Sequence, residues 1–270
     1  MCRLYGFCAT EPTKVECTLV HAQNALLSQS ESDKSGKSHS EGWGIATFSD
    51  GKPKLERQAW AAYHGEHFQR AASNLYAKIV VAHIRRATVG TPSILNTHPF
   101  MVGHWVFAHN GTIPFFDDIQ LKLLELTSPE HKKEIKGETD SEHVFAYIRT
   151  LLDEPDINSV SETLRQASKN IENLVLNQDS KAKPGLNFLL TNGQKMWGTR
   201  FGRSLYYVER PGIYDCQICG FPHVHHSPEQ IYWAAVVASE PITSEAWQEL
   251  PDRSVWSIDS RLKALAITPI

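Results

Sequence analysis

The pattern of hydrophobic and polar positions predicts a strand-rich beginning for the chain. Residues 2–9 form an apolar run, "CRLYGFCA", that is typical of a buried strand. The next stretch, "EPTKVECTLVHAQNALLSQ", has apolar residues at helical spacing and places Pro12 near the first turn of the predicted helix. It is followed by "SQSESDKSGKSHSE", whose polar composition rich in Gly and Ser predicts a mobile loop.

In the rest of the chain, groups of predicted strands alternate with predicted helices. "GWGIATFS" and "PKLERQAW" are predicted strands joined by the turn "DGK", and a helix around "EHFQRAASNLYA" precedes the strands "KIVVAHIR" and "HWVFAH". The middle of the chain is helical: "DIQLKLLEL", then a helix near "TDSEHVFAYIRTLLD" that Thr139 or Asp140 could cap, then residues 160–176. The last third is again strand-rich. This order predicts an α+β fold, two sheets with helices packed on them, in a single domain over residues 1–270.

Composition and charge narrow the classes of protein. Lys and Arg number 27 against 30 Asp and Glu, and a net charge of -3 gives no reason to expect a nucleic-acid partner. No apolar stretch approaches the roughly 20 residues of a membrane span, and no secretory signal is visible. An odd number of cysteines, clustered near the two ends of the chain, is not a disulfide framework. We therefore expect no membrane partner and a cytoplasmic location.

Cys2 stands directly behind the initiator methionine and opens the first predicted strand. A cysteine in a buried strand can be no more than a small hydrophobic residue. Removal of Met1 would instead give Cys2 both a thiol and a free α-amine. Because these groups have ordinary pKa values of about 8.5 and 7.7–8.0, the pair could act as a nucleophile and its own base near neutral pH.

Four short motifs, "AHIRRATVG", "NTHPF", "AHNGT" and "GETDSE", fall at the ends of predicted strands or at the start of a helix. Such positions commonly present functional groups. Considered singly, each motif has a structural explanation: Arg85 could form a surface ion pair, Asn110 and Gly111 a tight turn, and Asp140 a helix cap.

Together with Cys2, the motifs resemble the class II glutamine amidotransferases of the N-terminal nucleophile hydrolase superfamily, most closely the stand-alone γ-glutamyl amidohydrolases. The resemblance runs in order through "EGWGIA" and "ETDSE" and, more loosely, to "VVASEPI". It implies a four-layer αββα sandwich of two mainly antiparallel sheets flanked by helices. It also implies cleavage of a γ-amide bond through a γ-glutamyl thioester, with no cofactor required for catalysis.

The same resemblance implies three catalytic positions. Cys2 matches the nucleophile that is exposed once Met1 is removed, and Asn110 and Gly111 match the oxyanion hole, formed by a side-chain amide and a backbone N–H. Amide cleavage needs this combination of a nucleophile, a proton acceptor and donors for the tetrahedral oxyanion.

Three further positions match the family's pocket for a small γ-glutamyl substrate. Arg85 corresponds to the arginine that binds the α-carboxylate, Thr88 lines the same pocket, and Asp140 corresponds to the carboxylate that receives the α-ammonium group. About 270 residues leave no room for a synthase domain that would consume ammonia. Two alternatives stay open: a hydrolase that uses water as the acceptor, or a glutaminase-type subunit that delivers ammonia to a partner protein.

A second candidate site lies in "DCQICGFPHVHH". Cys216, Cys219, His223 and His225 are the ligand types of a tetrahedral zinc site, and Cys-x2-Cys suits a metal knuckle. The spacing from Cys219 to His223 is tighter than in common zinc fingers, so a surface loop without metal is the alternative. A zinc ion here would be structural and separate from the reaction.

Overall fold

The structure is a computed structural model that describes residues 2–33, 35–49, 51–156, 159–224 and 231–270. Its strands are β1 Arg3–Lys14, β2 Trp43–Ser49, β3 Lys52–Gln58, β4 Tyr76–Ile84, β5 Phe100–Val102, β6 Trp105–Asn110, β7 Asn187–Thr191, β8 Lys195–Arg200, β9 Tyr206–Pro211, β10 Trp233–Ala238, β11 Gln248–Glu249, β12 Ser254–Asp259 and β13 Ala264–Pro269. Its helices are a π-helical segment Cys17–His21, α1 Leu26–Glu31, α2 His67–Ser73, α3 Phe116–Glu125, α4 Pro129–Lys132, α5 Asp140–Leu152 and α6 Val160–Leu176.

The strands form two antiparallel sheets, one of seven strands in the order β11-β9-β10-β1-β4-β2-β3 and one of six in the order β13-β12-β8-β7-β6-β5. β1 lies near the centre of the first sheet, between β10 and β4. Its register places Arg3 opposite Ile84, and Trp43 of β2 also pairs with Ile84. The start of β1, the end of β4 and the start of β2 therefore lie side by side at the same end of the sheet.

Three hydrophobic clusters separate four layers. The side chains of β1 alternate, because Tyr5 and Phe7 join the cluster beneath α1 and α2, whereas Leu4 and Cys8 join the cluster between the two sheets. A third cluster lies between the six-stranded sheet and helices α3, α5 and α6. The sheets approach closely at Gly6, where a Cβ atom would lie 2.7 Å from the Met196 sulfur.

This arrangement confirms the expected α+β fold, an αββα sandwich of two mainly antiparallel sheets with helices outside. The predicted helices at the "TDSE" motif and at residues 160–176 are α5 and α6. Thr139 caps α5: its Oγ1 accepts a hydrogen bond from the Glu142 backbone N–H at 3.3 Å. Asp140 is consequently the first helical residue. No helix in the described ranges combines the length and the apolarity that crossing a membrane requires.

The helix predicted after the first strand was wrong in its bounds. Pro12 lies inside β1, which continues to Lys14 after an irregular register between Cys8 and Thr13. An irregular stretch tolerates proline, because its missing N–H removes no regular ladder bond there. Helical structure follows only as the π-helical segment and the short helix α1.

The predicted mobile loop is anchored at two points. Asp33 accepts a hydrogen bond from the Arg3 guanidinium at 2.7 Å, and the His39 ring bonds the same carboxylate at 3.1 Å. His39 is fully buried. The polar composition of this stretch therefore reflects in part a buried ionic network, which composition alone cannot distinguish from a solvated loop.

Candidate active site

Cys2 is a buried thiol at the start of β1. Its Sγ accepts a hydrogen bond from the Arg86 backbone N–H and donates to the Arg86 carbonyl, both at 3.3 Å. Burial raises the pKa of this thiol above its ordinary value. Among the described residues, Arg86 supplies the only hydrogen-bond partners of Sγ. The thiol is therefore protonated at neutral pH, and its activation requires a base.

Arg3, the next residue, holds the backbone of Cys2. Its guanidinium donates to the Cys2 carbonyl at 3.0 Å and forms ion pairs with Asp33 at 2.7 Å and Glu240 at 2.6 Å. His39 adds a bond to Asp33, but burial lowers the pKa of His39 to about 4. One cation and two carboxylates thus lie directly behind the thiol, and the histidine beside them is neutral at pH 7.

Arg85 follows the last residue of β4, and its side chain is buried. Its guanidinium donates to the backbone carbonyls of Val89, Gly90 and Thr91 at 2.9, 3.1 and 3.2 Å. Burial lowers the pKa of this guanidinium from its ordinary value. In the part of the chain that the structure describes, no carboxylate lies within salt-bridge distance of Arg85. Its hydrogen-bond partners are therefore neutral carbonyls, while the carboxylates of Glu41 and Asp140 act on it only from beyond salt-bridge distance.

Asn110 ends β6 and is buried. Its Nδ2 donates to the Ser239 hydroxyl at 2.8 Å, and the same hydroxyl accepts the Leu4 backbone N–H at 2.9 Å. This shared hydroxyl ties the Asn110 amide to β1, two residues after Cys2. A side-chain amide has two N–H donors, and Ser239 uses one of them.

Gly111 occupies a position that only glycine can fill. A Cβ atom there would overlap the Gly185 carbonyl and would lie 2.6 Å from His109 Nε2. The His109 ring and the Gly185 carbonyl are held beside Gly111 by a hydrogen bond, since His109 Nε2 donates to that carbonyl at 2.8 Å. The Nδ1 of the same ring bonds the Ser141 hydroxyl at 2.9 Å. Both ring nitrogens are therefore engaged. His109 therefore fixes the turn after β6.

Asp140 and Thr88 both contact the segment that follows Gly111. Asp140 is buried, and its carboxylate accepts the Ile113 backbone N–H at 3.1 Å and the Ser141 hydroxyl at 3.0 Å. Thr88 is exposed, and its hydroxyl accepts a hydrogen bond from Thr112 at 3.2 Å. No Lys, Arg or His in the described ranges forms an ion pair with Asp140.

The structure thus brings all six sequence-predicted residues to one region, where β1, β4, β6 and α5 meet. The charges of Arg85 and Asp140 both act on the Cys2 thiol, and Asp140 also acts on Arg85. Sequence reasoning missed Ser239 and Gly185. Ser239 lies in the loosely matched "VVASEPI" stretch, which could have indicated it, whereas nothing in the sequence relates Gly185 to Gly111.

Two further histidines pack beside the site. His83 and His98 have ring centroids 4.3 Å apart, and His83 Nε2 donates to the His109 carbonyl at 3.2 Å. Burial lowers the pKa of His83 to about 3, and the nearby Arg85 and His39 also disfavour a proton on it. Burial lowers the pKa of His98 as well. Both rings are therefore neutral over the physiological pH range.

This burial predicts a pH-dependent stability. Below an unfolded pKa of about 6.5 the unfolded chain binds a proton at His83 that the folded chain excludes down to about pH 3. We expect the free energy of unfolding to fall with acidification over this range, by up to about 1.4 kcal/mol per pH unit for each such histidine. Urea unfolding of wild type and His83→Gln between pH 7 and 5 measures how steeply the free energy of unfolding depends on pH, and this slope should be shallower in the variant.

The control is His64→Gln, at an exposed position, which should leave the slope unchanged. Equal slopes in wild type and His83→Gln would contradict the assignment.

The predicted metal-binding residues lie away from these six positions. Cys216, Cys219 and His223 lie close together in the connection between β9 and β10, and Cys17 joins them. His225, the fourth residue predicted from the sequence, lies outside the described residues. A cavity of about 840 Å³ adjoins this connection, and none of the six candidate active-site residues lines it.

Comparison with known proteins agrees with this geometry. The family model described as class II glutamine amidotransferases matches residues 1–264. A probable glutamine amidotransferase of Saccharomyces cerevisiae is 27% identical over 296 residues, which cover 96% of this chain and 82% of the relative. The gamma-glutamyl-hercynylcysteine sulfoxide hydrolase of Mycolicibacterium smegmatis is 24% identical, and the match covers 100% of both chains.

A solved structure shows the same fold. A glutamine aminotransferase class-II domain protein from Silicibacter pomeroyi superposes with a TM-score of 0.66 at 19% identity, covering 99% of each chain. The family resemblance expected from the sequence is confirmed. The protein is an enzyme of the hydrolase and amidotransferase type, and its chain belongs to the class II glutamine amidotransferase family.

Proposed function

We propose that the protein hydrolyses the γ-amide bond of γ-glutamyl compounds, with Cys2 as nucleophile once Met1 has been removed. The observation that carries this proposal is a pair of buried, opposite charges beside a buried thiol, neither of which has a salt-bridge partner among the described residues. In the described part of the chain, the Arg85 guanidinium and the Asp140 carboxylate form no ion pair, and both act electrostatically on Cys2.

The charges of Arg85 and Asp140 favour a substrate that carries both opposite charges. Burying an ion without an opposite charge is costly, so a ligand that supplies both missing charges gains affinity at once. The head group of a γ-glutamyl compound does so. Its α-carboxylate would bind Arg85, where a planar guanidinium suits it, and its α-ammonium group would bind Asp140.

Substrate entry requires a local rearrangement. The guanidinium of Arg85 donates to the carbonyls of residues 89–91, and Arg86 covers the Cys2 thiol. An incoming carboxylate would replace these carbonyls as the acceptor, which would free the segment that contains Thr88. Binding of the head group and uncovering of the nucleophile would then be one event.

The proposed reaction has two halves. The Cys2 thiol transfers its proton to the α-amine of the same residue, and the thiolate attacks the γ-carbonyl carbon. The second Nδ2 hydrogen of Asn110 and the Gly111 N–H stabilise the resulting oxyanion. Collapse breaks the C–N bond, and the ammonium group returns its proton to the departing amine. Water, deprotonated by the amine, then hydrolyses the γ-glutamyl thioester to glutamate and regenerates the thiol.

The relative from Mycolicibacterium smegmatis, a named γ-glutamyl hydrolase, supports both the substrate class and water as the acceptor. Its 24% identity leaves the group beyond the scissile bond open, so screening should begin with simple γ-glutamyl amides and anilides. Catalysis needs no cofactor in this proposal, because the thiol, the amine, the Asn110 side-chain amide and the Gly111 N–H supply every proton and donor that it uses.

Recognition of the ammonium group can be tested directly. We expect wild type to prefer γ-glutamyl-p-nitroanilide over its glutaryl analogue, which lacks the amino group, by on the order of 10²-fold in kcat/KM, because a buried charge pair would be lost. Asp140→Asn should remove most of this preference by slowing the γ-glutamyl substrate. Release of nitroaniline measures both rates.

The matched control is Asp118→Asn, which changes an exposed carboxylate in the first turn of α3 and should keep the preference. An Asp140→Asn enzyme that still discriminates as wild type does would exclude Asp140 as the ammonium site. Failure of wild type to cleave any γ-glutamyl amide, with Met1 shown to be absent, would overturn the proposed function itself.

A further inference from the structure

Four side chains of the types that ligate metals come from distant parts of the sequence and meet at the end of β1. Their ligand atoms, three sulfurs and one imidazole nitrogen, all lie within 4.8 Å of one another. We name this group the Cys/His cluster; its members are Cys17, Cys216, Cys219 and His223. Cys17 is buried, whereas the other three are partly or fully exposed.

The segment that supplies two of the thiols folds as a compact turn. Gly220 donates its N–H to the Cys216 carbonyl at 2.8 Å, and the Cys216 N–H donates to the Phe221 carbonyl at 3.1 Å. The Ile218 N–H points to the Cys216 sulfur at 3.4 Å. A backbone donor aimed at sulfur stabilises the thiolate form, which is the form that binds metal. Gly220 has φ +77°, so the turn uses its conformational freedom.

The third and fourth members are held against that turn by β1. The Lys14 N–H donates to the His223 carbonyl at 2.9 Å, and Thr13 pairs with Val224 as an isolated bridge. Cys17 follows three residues after the strand, at the first position of the π-helical segment. The His223 Nε2 lies 3.2 Å from the Cys219 sulfur. Backbone contacts thus fix the approach of the ligands independently of any ion.

We infer that the Cys/His cluster binds one zinc ion as a tetrahedral Cys3His site. Zinc–sulfur bonds of about 2.3 Å and zinc–nitrogen bonds of about 2.0–2.1 Å place tetrahedral ligand atoms about 3.5–3.8 Å apart, within the observed spacing. Thiolate and imidazole donors favour zinc over magnesium or calcium. Four protein ligands leave no open position, so the ion is structural.

The proposed zinc ion has a local structural role. Thr13, Cys216 and His223 also line the cavity of about 840 Å³, so the ion ties one wall of that cavity to the end of β1. None of the six candidate active-site residues belongs to the cluster. Zinc therefore stabilises the connection between β9 and β10 and takes no part in amide cleavage.

Elemental analysis of the full-length protein, purified without an immobilised-metal column, tests the inference. We expect about one zinc per chain in wild type, loss of the metal in Cys17→Ser, and full content in Cys8→Ala, which changes a buried cysteine outside the cluster. His225→Ala should also keep its zinc, which separates the ligand set of the structure from that of the sequence. Wild type exchanged into Co²⁺ should show the thiolate charge-transfer and intense d–d absorption of a tetrahedral site.

Wild-type protein that contains no zinc, and that binds neither Zn²⁺ nor Co²⁺ on titration, would overturn the site. Retention of zinc by Cys17→Ser together with its loss from His225→Ala would overturn the ligand set. If Cys17→Ser does not fold, the cobalt spectrum of wild type decides: a spectrum without thiolate ligation contradicts the proposal.

Discussion

Replacement of Cys2 by alanine is expected to abolish hydrolysis of γ-glutamyl amides, with a loss in kcat on the order of 10⁴- to 10⁶-fold. The reason is that no neighbouring side chain could replace the thiol as nucleophile, because among the described residues only backbone groups of Arg86 form hydrogen bonds with the Cys2 sulfur. Binding of the head group should survive, since the thiol makes no contact with either charge of the substrate in the proposed complex. A chromogenic γ-glutamyl anilide measures kcat, and calorimetric titration with glutamate measures binding.

Cys8→Ala is the matched control, because Cys8 is also a buried thiol of β1 but packs between the two sheets. It should keep kcat near the wild-type value. Intact mass of the wild type after treatment with a γ-glutamyl diazo-ketone should show a chain without Met1 and one adduct, mapped to Cys2. Normal turnover by Cys2→Ala, or an adduct on Cys8, would refute the assignment of the nucleophile.

Asn110→Ala should lower kcat by roughly 10²–10³-fold and change KM little, which is the usual consequence of removing one oxyanion donor. The amide is held by Ser239 in a buried position, so its second N–H is oriented before substrate arrives. Donors fixed in advance act mainly on the transition state, because the charge that they stabilise develops only there. Steady-state kinetics of the folded variant separates kcat from KM.

Asn187→Ala supplies the comparison. Asn187 lies opposite Asn110 in the β6–β7 register and is also buried, but its amide bonds the carbonyls of Arg203 and Ser204. Asn187→Ala should therefore lower the free energy of unfolding by about 1–3 kcal/mol and leave the kcat of the folded protein largely unchanged. If both variants lose the same fraction of activity, Asn110 is a structural residue and the oxyanion hole must be sought elsewhere.

Local patterns predicted much of the fold. The apolar run at residues 2–9 indicated a buried strand, and the pair Thr139 and Asp140 indicated where α5 begins. Both predictions depend on neighbouring residues alone. The end of β1 could not be predicted in this way. The strand passes Pro12 because Thr13 and Lys14 pair with β4, a contact that exists only once the sheet has formed.

The candidate sites show the same limit. The family resemblance carried by the ordered motifs indicated Cys2, Arg85 and Asn110, whereas each motif taken singly had a structural explanation. Cys17, which belongs to the proposed zinc site, was not predicted as a metal ligand, because its partners come from the connection between β9 and β10. Contacts of Thr13 and Lys14 with that connection bring it to Cys17. The residue types of Cys216, Cys219, His223 and His225 indicated the kind of site, and His225 lies outside the described residues.

The ionic group behind Cys2 has a consequence for the basicity of the chain terminus. One guanidinium, on Arg3, faces two carboxylates, on Asp33 and Glu240, and His39 adds no charge at neutral pH. The group therefore has a net charge of about -1 within one residue of the nucleophile. A negative neighbour favours the protonated form of an amine, so a terminal amine on Cys2 keeps the proton that it takes from the thiol. The same charges that order the backbone would then also strengthen the terminal amine as the base that takes the proton of the thiol.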